Sequence, residues 1–256
     1  MNTFDKLVSI LNYLANRGRN GASIKEMSIN LNIPVSSLHR MLSNFNKYNF
    51  VRQDPISKRY FIGLGFLKYA DVALESTNVD EISYPYMEEL HRLTGETVFI
   101  AVLNGGKVIC ADIYGQRNLN IAVSRGEIFP FYSTASGKAI LAFLPKNEEE
   151  KVLAKCDFDQ FTKNTIVQRE LLEKQLEDIR IKGYSLNISE YNVGINAIAS
   201  PIFSYPDRIT ASIGAVGIAE RLTRDKMIEY SDHFVDAARH ITEHLHGEFL
   251  PDRFKG

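Results

Sequence analysis

The sequence predicts an α+β chain in two parts: a small helical module closed by a hairpin, and a larger body of strands and helices. Three observations predict it. Apolar residues in 34–45 recur with a helical period, and the period changes to that of strands in 50–62. From residue 97 onward, apolar strand-like runs bounded by turn residues are grouped around amphipathic stretches, as in an α+β body with a largely antiparallel sheet. Charge is divided unequally. Residues 1–62 hold nine Lys/Arg against three Asp/Glu, a balance of +6, and the remainder hold 21 against 28, a balance of −7.

The module is taken first. Phe4, Leu7, Val8, Ile10, Leu11, Leu14 and Ala15 trace one helical face, and Gly18 and Gly21 end that helix. Ser23-Ile24-Lys25-Glu26 is a capping box that opens a second helix, with Ile24, Met27, Ile29 and Leu31 as its apolar positions. After the turn Asn32-Ile33, a third helix is expected to open at Pro34, where a missing N–H costs nothing. Leu38, Met41, Leu42 and Phe45 form its apolar stripe. Its opposite face carries Ser36, Ser37, Arg40, Ser43, Asn44 and Lys47, with His39 at the edge, and no carboxylate. Short polar groups and arginine near a helix start are what a major-groove reader presents to phosphates and base edges. Phe50–Gln53 and Arg59–Ile62 read as strands around the loop 54–58, a hairpin in which Arg52, Lys58 and Arg59 supply cations. Helix, turn, helix and basic hairpin make a winged helix-turn-helix over residues 1–63.

Residues 64–80 read as a linker helix (Phe66, Leu67, Ala70, Ala73, Leu74), whose apolar residues suit a second copy of the chain. The body spans 81–256. Ile82, Met87, Leu90 and Leu93 mark a helix ended by Thr94-Gly95. Residues 97–103 and 107–113 form a hairpin around Asn104-Gly105-Gly106, and Asn120–Val123 is a further candidate strand. Phe131–Ala139 leads into a helix running to Phe143 and stopped by Pro145, and Glu148-Glu149-Glu150 reads as a solvated first turn. Gln168–Lys182 is amphipathic through Leu171, Leu172, Leu176 and Ile179. Strands at 194–203 and 209–217 flank the turn 204–208, and 223–245 is a terminal helix.

With 45% hydrophobic and 24% charged residues, the composition is that of an ordinary soluble protein. No apolar run is long enough for a bilayer, and residues 1–14 lack the continuous apolar core of a signal peptide. Cys110 and Cys156 have neither redox nor ligand spacing and read as free buried thiols in a reducing cytoplasm. The most informative stretch of the body is Ser133-Thr134-Ala135-Ser136-Gly137-Lys138. Small residues entering a helix leave N–H groups open to an anion, although on spacing alone a plain N-cap with tight helix packing is the favoured reading. Ser136 with Lys138 raises a hydrolase-like alternative, but no oxyanion motif flanks them. His240 and His244 have zinc spacing without a supporting pattern, and read as a polar helix face. A sensor that docks a protein partner through residues 1–62 is a further rival.

Several motifs together resemble one family. Ile33–Leu42 followed by Tyr60-Phe61-Ile62-Gly63, then Gly126–Pro130, Thr134–Ala142, Thr165-Ile166, Ile179–Tyr184, Glu190, Val193-Gly194-Ile195 and Ala199–Phe203, are similar in kind and order to IclR-type bacterial transcriptional regulators. The resemblance implies a winged helix DNA-binding domain and a GAF-like effector-binding domain, in homodimers or homotetramers on double-stranded operator DNA, with no cofactor and no metal. Ser36, Ser37, His39, Arg40 and Asn44 would then meet the major groove, and Arg52, Lys58 and Arg59 the phosphates. It also implies a small organic acid, sugar acid or aromatic effector beside Thr134, Ala135, Ser136 and Gly137, with Asp112, Asn187, Ile195, Ala197 and Gly214 around it. Family members often carry a cation where Val35 stands, a cysteine where Ala197 stands, serines about where Gly214 and Val216 stand, and an acid near Asn187. The pocket is therefore expected to be less polar, and the small keto acid of the best-known members is not assigned to it.

Overall fold

A computed structural model describes residues 2–69, 79–115, 123–205 and 207–254. The chain divides into two compact units, residues 1–77 and 78–256.

In the first unit, α1 (Thr3–Arg17) ends at Gly18, and α2 (Ile24–Leu31) starts at Ser23. The capping box forms as expected: the Glu26 N–H donates to Ser23 Oγ (3.2 Å) and the Ser23 N–H to Glu26 Oε2 (2.7 Å). α3 (Val35–Lys47) begins one residue later than expected, with Pro34 as its N-cap. The hairpin β1 (Val51–Gln53) and β2 (Tyr60–Ile62) pairs antiparallel, Arg52 opposite Phe61. The core is Ile10, Leu14, Met27, Ile33, Leu38, Met41, Leu42 and Val51 with Tyr60. Phe4, Val8 and Ile29 are exposed rather than in it, because the buried stripe of α1 runs through Ile10 and Leu14 and that of α2 through Met27.

After the hairpin, Leu64–Phe66 is a single 3-10 turn in which Phe66 stacks on Phe50. Ala70, Ala73 and Leu74 of the expected linker helix lie outside the described residues.

The second unit opens with α4 (Val79–Thr94). Its sheet has six antiparallel strands in the order β5-β4-β3-β8-β7-β6: β3 (Thr97–Asn104), β4 (Lys107–Tyr114), β5 (Ile128–Phe129), β6 (Ser185–Ile188), β7 (Ile195–Ser204) and β8 (Arg208–Ile218). The β3–β4 turn places Gly105 and Gly106 both at positive φ (57° and 72°), a conformation glycine adopts without strain. Most of the strand expected at 120–123 lies outside the described residues. Val123 is not in a strand, and β4 is instead bordered by Ile128–Phe129.

Register decides which side chains share a face. Asn187 opposes Ala197, Ala197 opposes Val216, and Val216 opposes Thr97, two residues before Phe99. Those four, Asn187, Ala197, Val216 and Phe99, point the same way. Val98, Ile100, Ile198, Ile213 and Ala215 occupy the alternate face and are fully buried. The short α5 (Ala135–Leu141) lies against β6, β7 and β8, while α4 and α8 (Arg224–His244) pack together and against the sheet. α5 stops at Leu141 rather than Phe143, and Pro145 caps a new helix, α6 (Lys146–Leu153). Its Glu149 is not a solvated first-turn acid. It is buried, and it pairs with Lys146 and with Arg180 of α7 (Arg169–Lys182), while Glu150 pairs with Arg169. On α7, Leu172, Leu176 and Ile179 are buried and Leu171 is exposed.

Candidate nucleic-acid interface and ligand pocket

The carboxylate-free face of α3 is open. Ser36, His39, Arg40, Ser43, Asn44 and Lys47 are exposed, and Ser37 is half-buried. Leu38, Met41 and Leu42 anchor the opposite side of the helix, so this face is presented by a fixed support. On the wing, Lys58 and Arg52 are exposed, and the Arg52 guanidinium lies over the Phe61 ring, 4.4 Å from its centroid. Asp54 turns inward to shape the wing tip. Its Oδ1 accepts from the Ser57 N–H (2.7 Å), and this bond holds the carboxyl below its ordinary range.

Arg59 does something else. Its Nε donates to the Asn20 carbonyl (2.8 Å), and its Nη2 donates to the Gly21 carbonyl (3.1 Å) and to Glu26 Oε2 (2.9 Å). Through Nε and Nη2 it ties the hairpin to the start of α2.

In the second unit a pocket forms where the start of α5 meets the sheet. Phe99, Val123, Phe129, Ile195, Ala197 and Val216 make its apolar wall, and Thr134, Ala135, Ser136, Asn187, Tyr191 and Asn192 its polar end. The expected site residues divide here. The Thr134 hydroxyl is fully engaged, donating to the Pro130 carbonyl (2.7 Å) and accepting from the Gly137 N–H (3.0 Å). The Asn187 amide is engaged as well, donating to the Ser133 carbonyl (2.5 Å) and accepting from the Glu190 N–H (3.0 Å). Ser136 differs from both: it is 1% exposed and its hydroxyl has no hydrogen-bond partner. The N–H groups of Ala135 and Ser136, at the first two helical positions, have no partner within the helix.

Three expected residues are not in the lining. A side chain at Gly137 would meet the Pro130 carbonyl oxygen at 2.2 Å, so glycine lets α5 approach that strand end. A side chain at Gly214 would meet the Ile198 carbonyl oxygen at 2.5 Å and the Phe99 ring at 2.9 Å, so glycine makes room for the neighbouring strand and for the ring that does line the pocket. Asp112 forms an ion pair with Arg125 instead of facing the cavity.

Behind the pocket, Lys138 is completely buried. Its Nζ donates to both Glu190 carboxylate oxygens (2.7 Å each) and to Gln175 Oε1 (2.9 Å). Burial pulls the ammonium below its ordinary lysine range, and Glu190 opposes this. Three acceptors call for three N–H donors, so the geometry holds the charged form.

The family model described as bacterial transcriptional regulator IclR C-terminal matches residues 71–243, and the IclR helix-turn-helix domain matches residues 3–55. The chain belongs to the IclR family of bacterial transcriptional regulators. The HTH-type transcriptional repressor AllR of Klebsiella pneumoniae is 31% identical over 242 residues, covering 93% of this chain and 88% of the relative. The Thermotoga maritima IclR structure superposes with a TM-score of 0.79 at 30% identity, covering 96% of this chain and 99% of that one. The C-terminal domain of the E. coli regulator KdgR gives 0.58 at 26% identity, covering 66% of this chain and 99% of that domain. In this IclR-family chain the N-terminal unit is thus the DNA-binding part and the second unit the ligand-binding part.

The family assignment does not favour the hydrolase-like alternative, and the geometry speaks against it too, since Lys138 is held by Glu190 and is not free to act as a base on Ser136. Among the described residues no cluster of three metal-ligating side chains occurs, and His240 stacks on Tyr86 at 6.0 Å. Cys110 is buried, and Cys156 is only half-buried. Among the described residues no helix is long and apolar enough to cross a membrane. Tyr191, Asn192, Phe99, Val123 and Phe129 escaped sequence reasoning as pocket residues, whereas Val216 lines the pocket as an apolar residue, as the resemblance implies. Lys138 inside an otherwise apolar helix was the available signal that a carboxylate such as Glu190 must face it.

Proposed function

We propose that this regulator is a cytoplasmic repressor, acting as a homodimer or homotetramer, that leaves its operator when a small organic acid, sugar acid or aromatic compound fills the pocket beside Ser136. The carrying observation is the Ser136 hydroxyl, buried and unpartnered on a residue that lines a mostly apolar cavity at the start of α5. A buried hydroxyl without a partner is costly, and a ligand oxygen supplies the missing bond. The uncharged, ring-lined wall suits a ligand with an apolar body and one polar head. The names of relatives such as the AllR repressor support repression as the outcome.

On the DNA side, Ser36, Ser37, His39, Arg40 and Asn44 read base edges and neighbouring phosphates, and Arg52 and Lys58 hold phosphates. Arg59 is reassigned to holding the wing in place. No residue is given a catalytic role. The test is a thermal-shift screen of carboxylic acids, sugar acids and aromatics, followed by gel shifts on the DNA upstream of the chain's own operon. A compound that stabilises the protein and releases that DNA is the expected result. A protein that ignores duplex DNA at low salt overturns the reading.

A further inference from the structure

Glu190 immediately precedes Tyr191 and Asn192, which line the pocket, and Lys138 lies two residues after Ser136 on α5. The Lys138–Glu190 pair therefore joins the two sides of one cavity. The segment carrying Glu190 is pinned elsewhere too. Asn187 bonds the Ser133 carbonyl on one side and the Glu190 N–H on the other. Thr165 Oγ1 donates to the Glu190 carbonyl (2.7 Å), and Thr162 Oγ1 to the Ser189 carbonyl (2.7 Å).

A buried ion pair is a poor way to gain stability, since apolar residues of similar volume do as well or better. What it offers is one permitted position. An apolar contact tolerates a slip of an ångström, but a buried ammonium with three acceptors does not.

We propose that the Lys138–Glu190 pair is a latch, which locks residues 187–194 onto α5 and so sets Tyr191 and Asn192 against Ser136 across the pocket. Lys138 and Glu190 are positioning residues, since neither lines the cavity. The latch rests on the reading that this pocket takes the effector, and it names the device that sets the pocket's width.

The test is amide hydrogen exchange on the full chain, without ligand. The Ser189 N–H donates to the Ile195 carbonyl, and the Ile195 N–H to the Asn192 carbonyl, so these amides report the segment directly. In Lys138→Met/Glu190→Met, which removes both charges and keeps volume, Ser189, Glu190 and Ile195 are expected to exchange at least about tenfold faster. Amides of β8 between Ile213 and Val216 are expected to keep their parent rates. Glu190→Gln, which keeps the shape, is expected to show the same local change at smaller size, and it decides the matter if the double variant does not fold. Unchanged exchange at Ser189 and Ile195 overturns the latch, and so does acceleration by the same factor in β8, which makes the pair general ballast. No ligand is involved, so failure here leaves the Ser136 reading standing, and failure of a Ser136 variant leaves the latch standing.

Discussion

Thr134 and Ser136 are two hydroxyl residues on one short helix start, and their bonding separates a cap from a contact. The Thr134 hydroxyl is engaged on both sides, so Thr134→Ala is expected to cost about 1 kcal/mol of stability, as cap removals do, read as a lower denaturant midpoint. The Ser136 hydroxyl has nothing to lose in the free protein. Ser136→Ala removes that unpaired group, and is therefore expected to raise stability slightly, to leave operator affinity at the parent level and to raise the effector concentration for half-release about fivefold, the worth of one hydrogen bond. A parental release curve in a gel-shift titration would misplace the pocket. Cys110 makes a sharper point about burial. Its thiol is pushed up to about 12 from 9.0 by loss of water, with Glu127 and Asp112 adding to it. At pH 8 its thiolate fraction is about a thousandfold below that of an open thiol, so iodoacetamide should leave it unmodified over hours while the half-buried Cys156 is labelled first. The raised value also fixes a sign. Cys110 contributes stability that is complete below pH 9.0, where the unfolded thiol is still protonated, and that is lost as pH rises toward about 12.

At the scale of elements, the wing shows how a cation's task depends on where the fold sends it. Lys58 and Arg59 are neighbours in sequence and equivalent by charge. Lys58 is exposed at the hairpin tip, while Arg59 reaches back to Glu26, Asn20 and Gly21. Lys58→Ala is expected to lower the slope of log affinity against log salt by about 0.9, the worth of one phosphate. Arg59→Ala is expected to leave that slope alone and to lower the unfolding midpoint of the N-terminal unit. Equal slopes for the two variants would return Arg59 to the interface. The elements themselves were legible: Ser23 and Glu26 announce a helix start by local bonds, and Gly105-Gly106 announces a turn by backbone freedom. Legibility fails where long-range partners decide. Nothing near Glu149 in sequence reveals Arg180, and nothing near Arg59 reveals a helix more than thirty residues earlier. For the same reason Thr134 and Gly137 were readable as part of a helix start, but Tyr191 and Asn192 were not readable as its neighbours across the cavity. The resemblance implies Gly214 in the lining, whereas its lack of a side chain makes room for the Ile198 carbonyl and for the Phe99 ring from the adjacent strands.

For the whole molecule, regulation is a coupling free energy between a surface in residues 1–77 and a pocket in residues 78–256. The first unit's surplus of cations supplies attraction to any duplex, and this part of binding weakens with salt. The pocket is lined by uncharged residues, so effector binding should be nearly indifferent to salt unless the ligand itself is an ion. The two dependences can therefore be separated in one titration series. If effector lowers operator affinity by a factor within the usual range of about 5- to 150-fold, operator must lower effector affinity by that same factor, because both measure one free energy. The expected outcome is that calorimetric effector titrations of free and operator-bound protein differ by the ratio seen in gel shifts with and without effector. Arg40→Ala, on the exposed face of α3, should weaken operator binding while leaving effector affinity of the free protein unchanged. Effector affinity that is identical with and without operator, alongside release in the gel, would mean that the ligand acts on the DNA or on aggregation rather than through the chain. That result would break the link between the two units that a ligand-responsive repressor requires.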